Sequence, residues 1–463
     1  MKTPLRKLLP LAFLFALHAG AQAGVVADHP GHWMGDLSLP DGQVLKSGVE
    51  LFTRADGSPW ASFSSPDQGA YDIPVKRIVE QGDTAELDLG FGKMHMRWLG
   101  DRFKAEWKQG GASFPLELKQ VAAFPRKARP QDPVAPFPYT EETLAIRSLD
   151  GVTLGATLSV PKGVAKPNVV ILVHGSGPLT RDEELAGHRV FAVLADHLLR
   201  QGIAVLRYDK RGVGRSTGDF ESHTQPQLAD DLAAVVAAIK ARGQFGRLGL
   251  VGHSEGPMIA ARVAARKPAS IDFLVSMAGV GLPGLDMILL QDRLLVEDRG
   301  ASPDETAQLM TYIRGFYGIV LAHADSEARV AALKAYQKAQ PERVKGLIEK
   351  YRLGVGTLSV DVAAQPFVRG LLLADPRPDW RKVRCPVLAL NGSLDIQVPP
   401  DNLTGIVAAL AEGGNKRLES AVIPSLNHLF QTAKTSSEKE YATIAETIAP
   451  VALQRIAAFV RKQ

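Results

Sequence analysis

Cysteine is almost missing from this chain: its 463 residues include one, Cys385. That excludes an intramolecular disulfide framework and any zinc site built from several thiolates. Inside CPVLAL, Cys385 reads as a small buried hydrophobe. Beyond residue 23 no apolar run approaches the roughly 18 residues that span a bilayer, which excludes a stable membrane insertion of the remaining chain. Basic runs and basic-aromatic stripes are lacking there too. The formal charge of +5 would invite a nucleic acid, but three positive charges, Lys2, Arg6 and Lys7, sit in the first few residues, and removing them leaves +2.

Those first residues read as a secretory signal. A basic head precedes an apolar stretch from Leu8 to Leu17, and Ala21-Gln22-Ala23 predicts cleavage after Ala23. The expectation is an exported protein, periplasmic or secreted, with residues 1–23 removed.

From residue 24 to about 125 no helical period is found. Short alternating runs such as VELFTRADG and FKAEWKQGG, with turns at Asp56-Gly57 and Gly110-Gly111, predict a small antiparallel β domain, a barrel or a sandwich. Pro125 to Thr140 holds five prolines and reads as an extended, exposed linker, placed at 126–140. The pattern changes at Glu141. A hairpin around Asp150-Gly151 leads into continuous apolar runs (168–174, 203–208, 248–253, 272–279 and 386–392), with amphipathic stretches at about 189–201, 226–242 and 256–266. Apolar runs separated by helices indicate a parallel sheet buried on both faces, so residues 141–463 form an α/β domain. Leu282 to Asp379 lacks any strand-like run and reads as a helical insertion over one end of the sheet.

Two segments fit G-x-S-x-G, around Ser216 and around Ser254. A nucleophile elbow needs a strand ending at the motif and a helix starting after it. LGLVG runs straight into Gly252-His253-Ser254-Glu255-Gly256, and PMIAARVAARK follows with a helical period. Ser216 has neither flank, so Ser254 is the candidate nucleophile. A serine needs a base, and the base needs an orienting group. Asp395 follows the strand PVLAL and His428 follows RLESAVIP, both at the sheet edge where Ser254 lies. Asp401 is the rival acid and reads as a helix cap. Glycines after His174 let the backbone approach a carbonyl, so the N–H groups of Ser176 and Glu255 are assigned as oxyanion donors.

Asp182 and Glu183, in the run 181–184, are either a solvated loop or carboxylates that hold a substrate amine, and Glu255 is a further candidate for that role. Leu289, Leu290, Met310, Tyr312, Phe316 and Tyr317 are candidates to line an acyl pocket or else pack the inserted helices. Asp209 and Arg211 read as a fixed ion pair. His253 is placed against the elbow, and His188 and His197 on one helical stretch. No histidine forms a ligand pattern, so neither metal nor other cofactor is expected.

VHGSGP, YDKRGVGRSTGDF, VGHSEG, NGSLDIQVPP and NHLF, in this order, resemble the α/β-hydrolase superfamily, in its exported serine aminopeptidase-like or esterase-like branch. The resemblance covers about 141–463. It implies an eight-stranded, mostly parallel sheet, a triad of Ser254, Asp395 and His428, and a cap at about 282–380. The expected activity is serine hydrolysis of a carboxylic ester. A peptidase acting on a short peptide is the alternative, and a non-catalytic binding protein on the same scaffold a remote one.

Overall fold

The computed structural model describes residues 24–267, 270–353 and 356–463. The predicted signal segment lies outside them. After a short helix α1 (Val25–Asp28), nine strands follow in close succession: β1 (Gly31–Ser38), β2 (Val44–Thr53), β3 (Pro59–Ser65), β4 (Ala70–Pro74), β5 (Arg77–Gln81), β6 (Thr84–Asp88), β7 (Lys93–Trp98), β8 (Arg102–Gln109) and β9 (Ala112–Val121). They form one antiparallel sheet in the order β4-β3-β2-β1-β9-β8-β7-β6-β5. The edge strands β4 and β5 are consecutive, and the turn between them stitches the edges, Val75 donating to Ala61 O and Lys76 to Asp88 O. The sheet thus curls around a core that includes Trp33, Val49, Leu87, Met94, Phe103 and Trp107. Alternation of apolar and polar residues is what fills this interior, since successive side chains point to opposite faces.

The second unit opens with the hairpin β10 (Tyr139–Arg147) and β11 (Thr153–Pro161). Then come β12 (Val169–Val173), the two-residue ribbon β13 (Glu184–Leu185) and β14 (His188–Arg189), and the strands β15 (Ala204–Tyr208), β16 (Leu248–His253), β17 (Phe273–Met277), β18 (Val387–Gly392) and β19 (Leu418–Ile423). The eight-stranded sheet runs β10-β11-β15-β12-β16-β17-β18-β19, with β10 and β11 paired antiparallel and the six strands from β15 to β19 mutually parallel. This is the mostly parallel sheet that the resemblance implied. Helices α2 (Val190–Arg200) and α13 (Pro450–Lys462) cover one face, and α3 (Gln225–Ala241), α4 (Gly256–Arg266) and α12 (Asp401–Glu412) the other. Cys385 is buried, and burial pushes its thiol up to about 12, in keeping with an unreactive core residue.

Between β17 and β18 the chain leaves the sheet. Helices α5 (Gly284–Asp298), α6 (Pro303–Ala322), α7 (Ser326–Lys338), α8 (Glu342–Lys350), α9 (Val360–Ala363) and α10 (Pro366–Leu373) pack around their own core of Met287, Ile313, Phe316, Tyr317, Leu333 and Val368. A last short helix, α11 (Arg377–Trp380), returns the chain to the sheet. No described helix is long and apolar enough to cross a membrane.

The proline-rich segment is largely exposed, as its composition predicts, but it is also anchored. Arg129 is 7% exposed, and its guanidinium donates to the carbonyls of Ala186, Gly187, Ala442 and Ile444. Prolines stiffen the segment, but the carbonyls it meets give it a fixed berth on the second unit. The β domain docks directly as well. Arg54 donates to Gly212 O at 3.1 Å and Gly214 O at 3.3 Å, and the Arg215 guanidinium lies 4.4 Å from the Phe52 ring centre.

Glu50 faces this junction, a cavity of about 310 Å³ it shares with Asp72, Arg126, Asp209 and Arg215. Burial, then Asp72, push its carboxyl from 4.5 up to about 7 against the pull of Arg215. An acid whose folded value lies above its unfolded one favours folding most below the unfolded value and loses that advantage as pH rises toward the folded value. Glu50→Gln is therefore expected to gain Tm over the parent progressively from pH 4.5 to 7 and to keep a constant lead above. A Tm difference independent of pH would count against this assignment.

Candidate active site

Strand β16 ends at His253 and α4 begins at Gly256, leaving two residues for a turn of the backbone. Ser254 makes it with φ +57°, a left-handed conformation that costs a non-glycine residue of order 1–3 kcal/mol. The flanking glycines are what let strand and helix approach so closely. A Cβ on Gly252 would lie 2.5 Å from Pro257 N, and one on Gly256 would lie 2.0 Å from Val173 O. The Ser254 amide donates to Met277 O at 2.9 Å, fixing the elbow to β17.

Asp395 and His428 follow β18 and β19 at the same sheet edge, and both are buried. His428 Nδ1 lies 2.9 Å from Asp395 Oδ2. The other carboxylate oxygen, Oδ1, accepts the backbone N–H groups of Gln397 and Val398, each at 2.9 Å. Asp395 is thus committed to one orientation with one oxygen on the imidazole. Ser254 and His428 line one cavity of about 260 Å³, together with Ser176, Gln397, Glu438 and Tyr441. Asp401 is instead the exposed first residue of α12.

The loop after β12 brings Ser176 to the same cavity, and Glu255 opens the turn into α4. Neither backbone N–H donates to another described group, so both are free to meet an oxyanion at the positive end of α4.

His253 ties these pieces together. Its Nε2 lies 3.0 Å from the carbonyl oxygen of His428, and its Nδ1 3.3 Å from Glu183 Oε1. Burial opposes charge on this ring, but the Glu183 carboxylate outweighs it and holds the imidazole above its ordinary value. A protonated ring donates from both nitrogens, which both acceptors require.

Glu183 itself corrects the sequence reading. It is fully buried, and Oε1 accepts the Gly175 N–H at 2.7 Å, so it shapes the loop before Ser176 rather than standing open to a substrate amine. Asp182 pairs with Arg207 and faces the inter-domain junction, away from Ser254. The Glu255 side chain is likewise engaged, by Lys210 at 3.3 Å and by Gln225. Tyr312 and Phe316 are buried in the cap's own core. Tyr312 stacks on Tyr336 at 5.6 Å, and neither residue reaches the cavities at Ser254. Leu289, Leu290 and Met310 line an outer groove between α5 and α6. The expected Asp209–Arg211 pair is exchanged for two others, Arg181–Asp209 and a bidentate Arg211–Asp231 at 2.7 Å. His188 lies in the ribbon before α2 instead of on the helix with His197. The rival serine, Ser216, is buried with its hydroxyl on Asp209 O at 2.7 Å.

A second lobe, about 290 Å³, extends from Ser176 and Ser254 under the cap. Met287, Ile288 and Leu358 give it apolar walls, while Gln291, Asp292, Arg299 and Arg352 make it polar. These polar residues escaped the sequence reading. The one available signal was a carboxylate among the apolar positions of α5, for Asp292 lies between Ile288 and Val296. Burial pushes the Asp292 carboxyl up to about 7, although the Tyr317 hydroxyl donates to it at 2.8 Å. Among the described residues no group of three or more histidine, cysteine or acidic side chains is arranged to hold a metal ion.

The family described as serine aminopeptidase, S33, matches residues 166–432, more than half of the chain. Esterase EstD of Thermotoga maritima is 31% identical over 164 residues, 35% of this chain and 37% of its own length. A bifunctional esterase/perhydrolase of Acinetobacter calcoaceticus is 36% identical over 99 residues, 21% of this chain and 32% of its own. The chain thus spans about a third of the length of these curated relatives. Among solved structures, Est1E of Butyrivibrio proteoclasticus with bound ferulic acid is 18% identical, with a TM-score of 0.41 over 69% of this chain and 96% of the other. A proline iminopeptidase of Mycobacterium smegmatis gives 18% and 0.43 over 69% and 98%.

Proposed function

Starting from the fact that the chain belongs to the serine aminopeptidase S33 family of α/β-hydrolases, we propose that it is an exported serine hydrolase cleaving a carboxylic ester through an acyl-enzyme. One observation carries the reading: a serine held at positive φ shares a cavity with a histidine whose far nitrogen is fixed by a buried aspartate. His428 Nε2 takes the Ser254 proton as Oγ adds to the ester carbonyl, and the N–H groups of Ser176 and Glu255 receive the oxyanion. His428 then protonates the departing alcohol, and a water activated by the same ring releases the acid. Asp395 keeps Nδ1 protonated and stabilises the imidazolium. A purely binding role would leave the buried His428–Asp395 pair beside Ser254 without a task.

The two lobes meeting at Ser254 suit the two sides of a scissile bond. The apolar walls under the cap favour an acyl chain, and the esterase relatives support an ester. A second reading, hydrolysis of an amide next to a free amine, draws on Asp292, since an arriving ammonium would favour its charged form. Purified protein is expected to be labelled at Ser254 by a fluorophosphonate and to hydrolyse short-chain p-nitrophenyl esters faster than aminoacyl-naphthylamides. A preference for the amides that disappears in Asp292→Asn would replace the ester reading by the peptidase one. Unlabelled Ser254 would remove both.

A further inference from the structure

Lys210 lies at the turn after β15, in a motif with no role in the mechanism so far, and it is 4% exposed. Its ammonium donates to Gly175 O at 2.6 Å and to Glu255 Oε2 at 3.3 Å, while Gln225 holds Glu255 Oε1. These two acceptors belong to the two segments assigned to the oxyanion site. The Gly175 carbonyl is moreover the other end of the amide whose N–H is that of Ser176. On the neighbouring amide, the Gly175 N–H is taken by Glu183. The loop is therefore gripped from both sides, by a carboxylate on its N–H and by an ammonium on its carbonyl.

Resting on the hydrolase reading above, we infer that Lys210 is a positioning residue for the oxyanion site: it locks the Ser176 and Glu255 segments at a fixed separation and polarises the Ser176 N–H through its own peptide group. Hydrogen bonds in a chain strengthen one another, by about 10–30% per bond, and a charged donor is roughly twice as strong as a neutral one. A cation on the carbonyl oxygen draws electron density along the amide and makes its N–H a better donor to a negative oxygen. The gain arises only when charge develops, so it belongs to the transition state. The pair with Glu255 also explains how a buried lysine is tolerated, since an unpaired charge there would be costly.

An alkyl trifluoromethyl ketone carrying ¹³C at its carbonyl reads this directly. Ser254 Oγ adds to the carbonyl carbon, its proton passes to His428, and the former carbonyl oxygen becomes a hemiketal oxyanion whose pKa is measured by NMR. Lys210→Met is expected to raise that pKa by about one to two units, a ten- to hundredfold weakening, and to lower kcat on a p-nitrophenyl ester by the same factor with KM within about threefold. The double variant Lys210→Met/Glu255→Gln removes both buried charges and so retains the fold if the single one does not; it should show the same two losses. A merely structural lysine would change Tm and leave the hemiketal pKa of the folded fraction where it was. Adduct formation with an unshifted pKa in both variants overturns the inference alone. Absence of adduct and of ester hydrolysis in the parent protein overturns the hydrolase reading beneath it.

Discussion

Ser254→Ala is expected to lower kcat on its preferred ester by about a millionfold, His428→Ala by a similar factor, and the double variant by no more than either single one. The two side chains act on one proton: without the hydroxyl the imidazole has nothing to accept, and without the imidazole the hydroxyl stays a poor nucleophile. The residual rate should still exceed that in water, because the N–H groups of Ser176 and Glu255 and the apolar lobe remain in place. Multiplying losses in the double variant would mean that Ser254 and His428 serve separate steps, and substantial turnover by Ser254→Ala would dismiss it as nucleophile.

Asp395→Asn should cost about ten-thousandfold in kcat with little change in Tm. An asparagine oxygen can retain the N–H groups of Gln397 and Val398 that now bind Oδ1. Its amino group then faces His428 Nδ1 and, being a donor, forces the proton of the neutral ring onto Nε2. A ring protonated there cannot accept the Ser254 proton, so the fold survives and the base is lost. Glu438, which lines the same cavity, is another acid near the imidazole. A loss below tenfold in Asp395→Asn, with a large loss in Glu438→Gln, would transfer the orienting role to it.

The parallel sheet was readable because its strands are continuous apolar runs, and the turn at Ser254 because strand, glycines and helix stand next to one another in sequence. Features that depend on which face of an element meets which neighbour were not readable. Tyr312 and Phe316 sit at helical spacing, which says that one face of α6 is buried but not whether against the cleft or against α7. Asp209 and Arg211 are two apart in a turn, so their side chains diverge, and their partners Arg181 and Asp231 come from 28 and 20 residues away. Asp292 and Arg299 stand two turns apart on α5 and its C-cap, and Arg352 joins them only because the cap folds back on itself. Composition reported an exposed linker, but proline content is silent on the carbonyls that await Arg129.

That arginine also sets a condition on how the chain acquires its structure. The carbonyl of Ile444 that it binds lies 315 residues further along, in the stretch following His428. Gln131 makes a comparable reach, to the carbonyl of Ile448 at 2.7 Å. A ribosome making roughly 5–20 residues per second delivers these partners some tens of seconds apart. Until residues 442–448 are made, Arg129 and Gln131 lack these partners, and the early β domain waits beside an unfinished hydrolase.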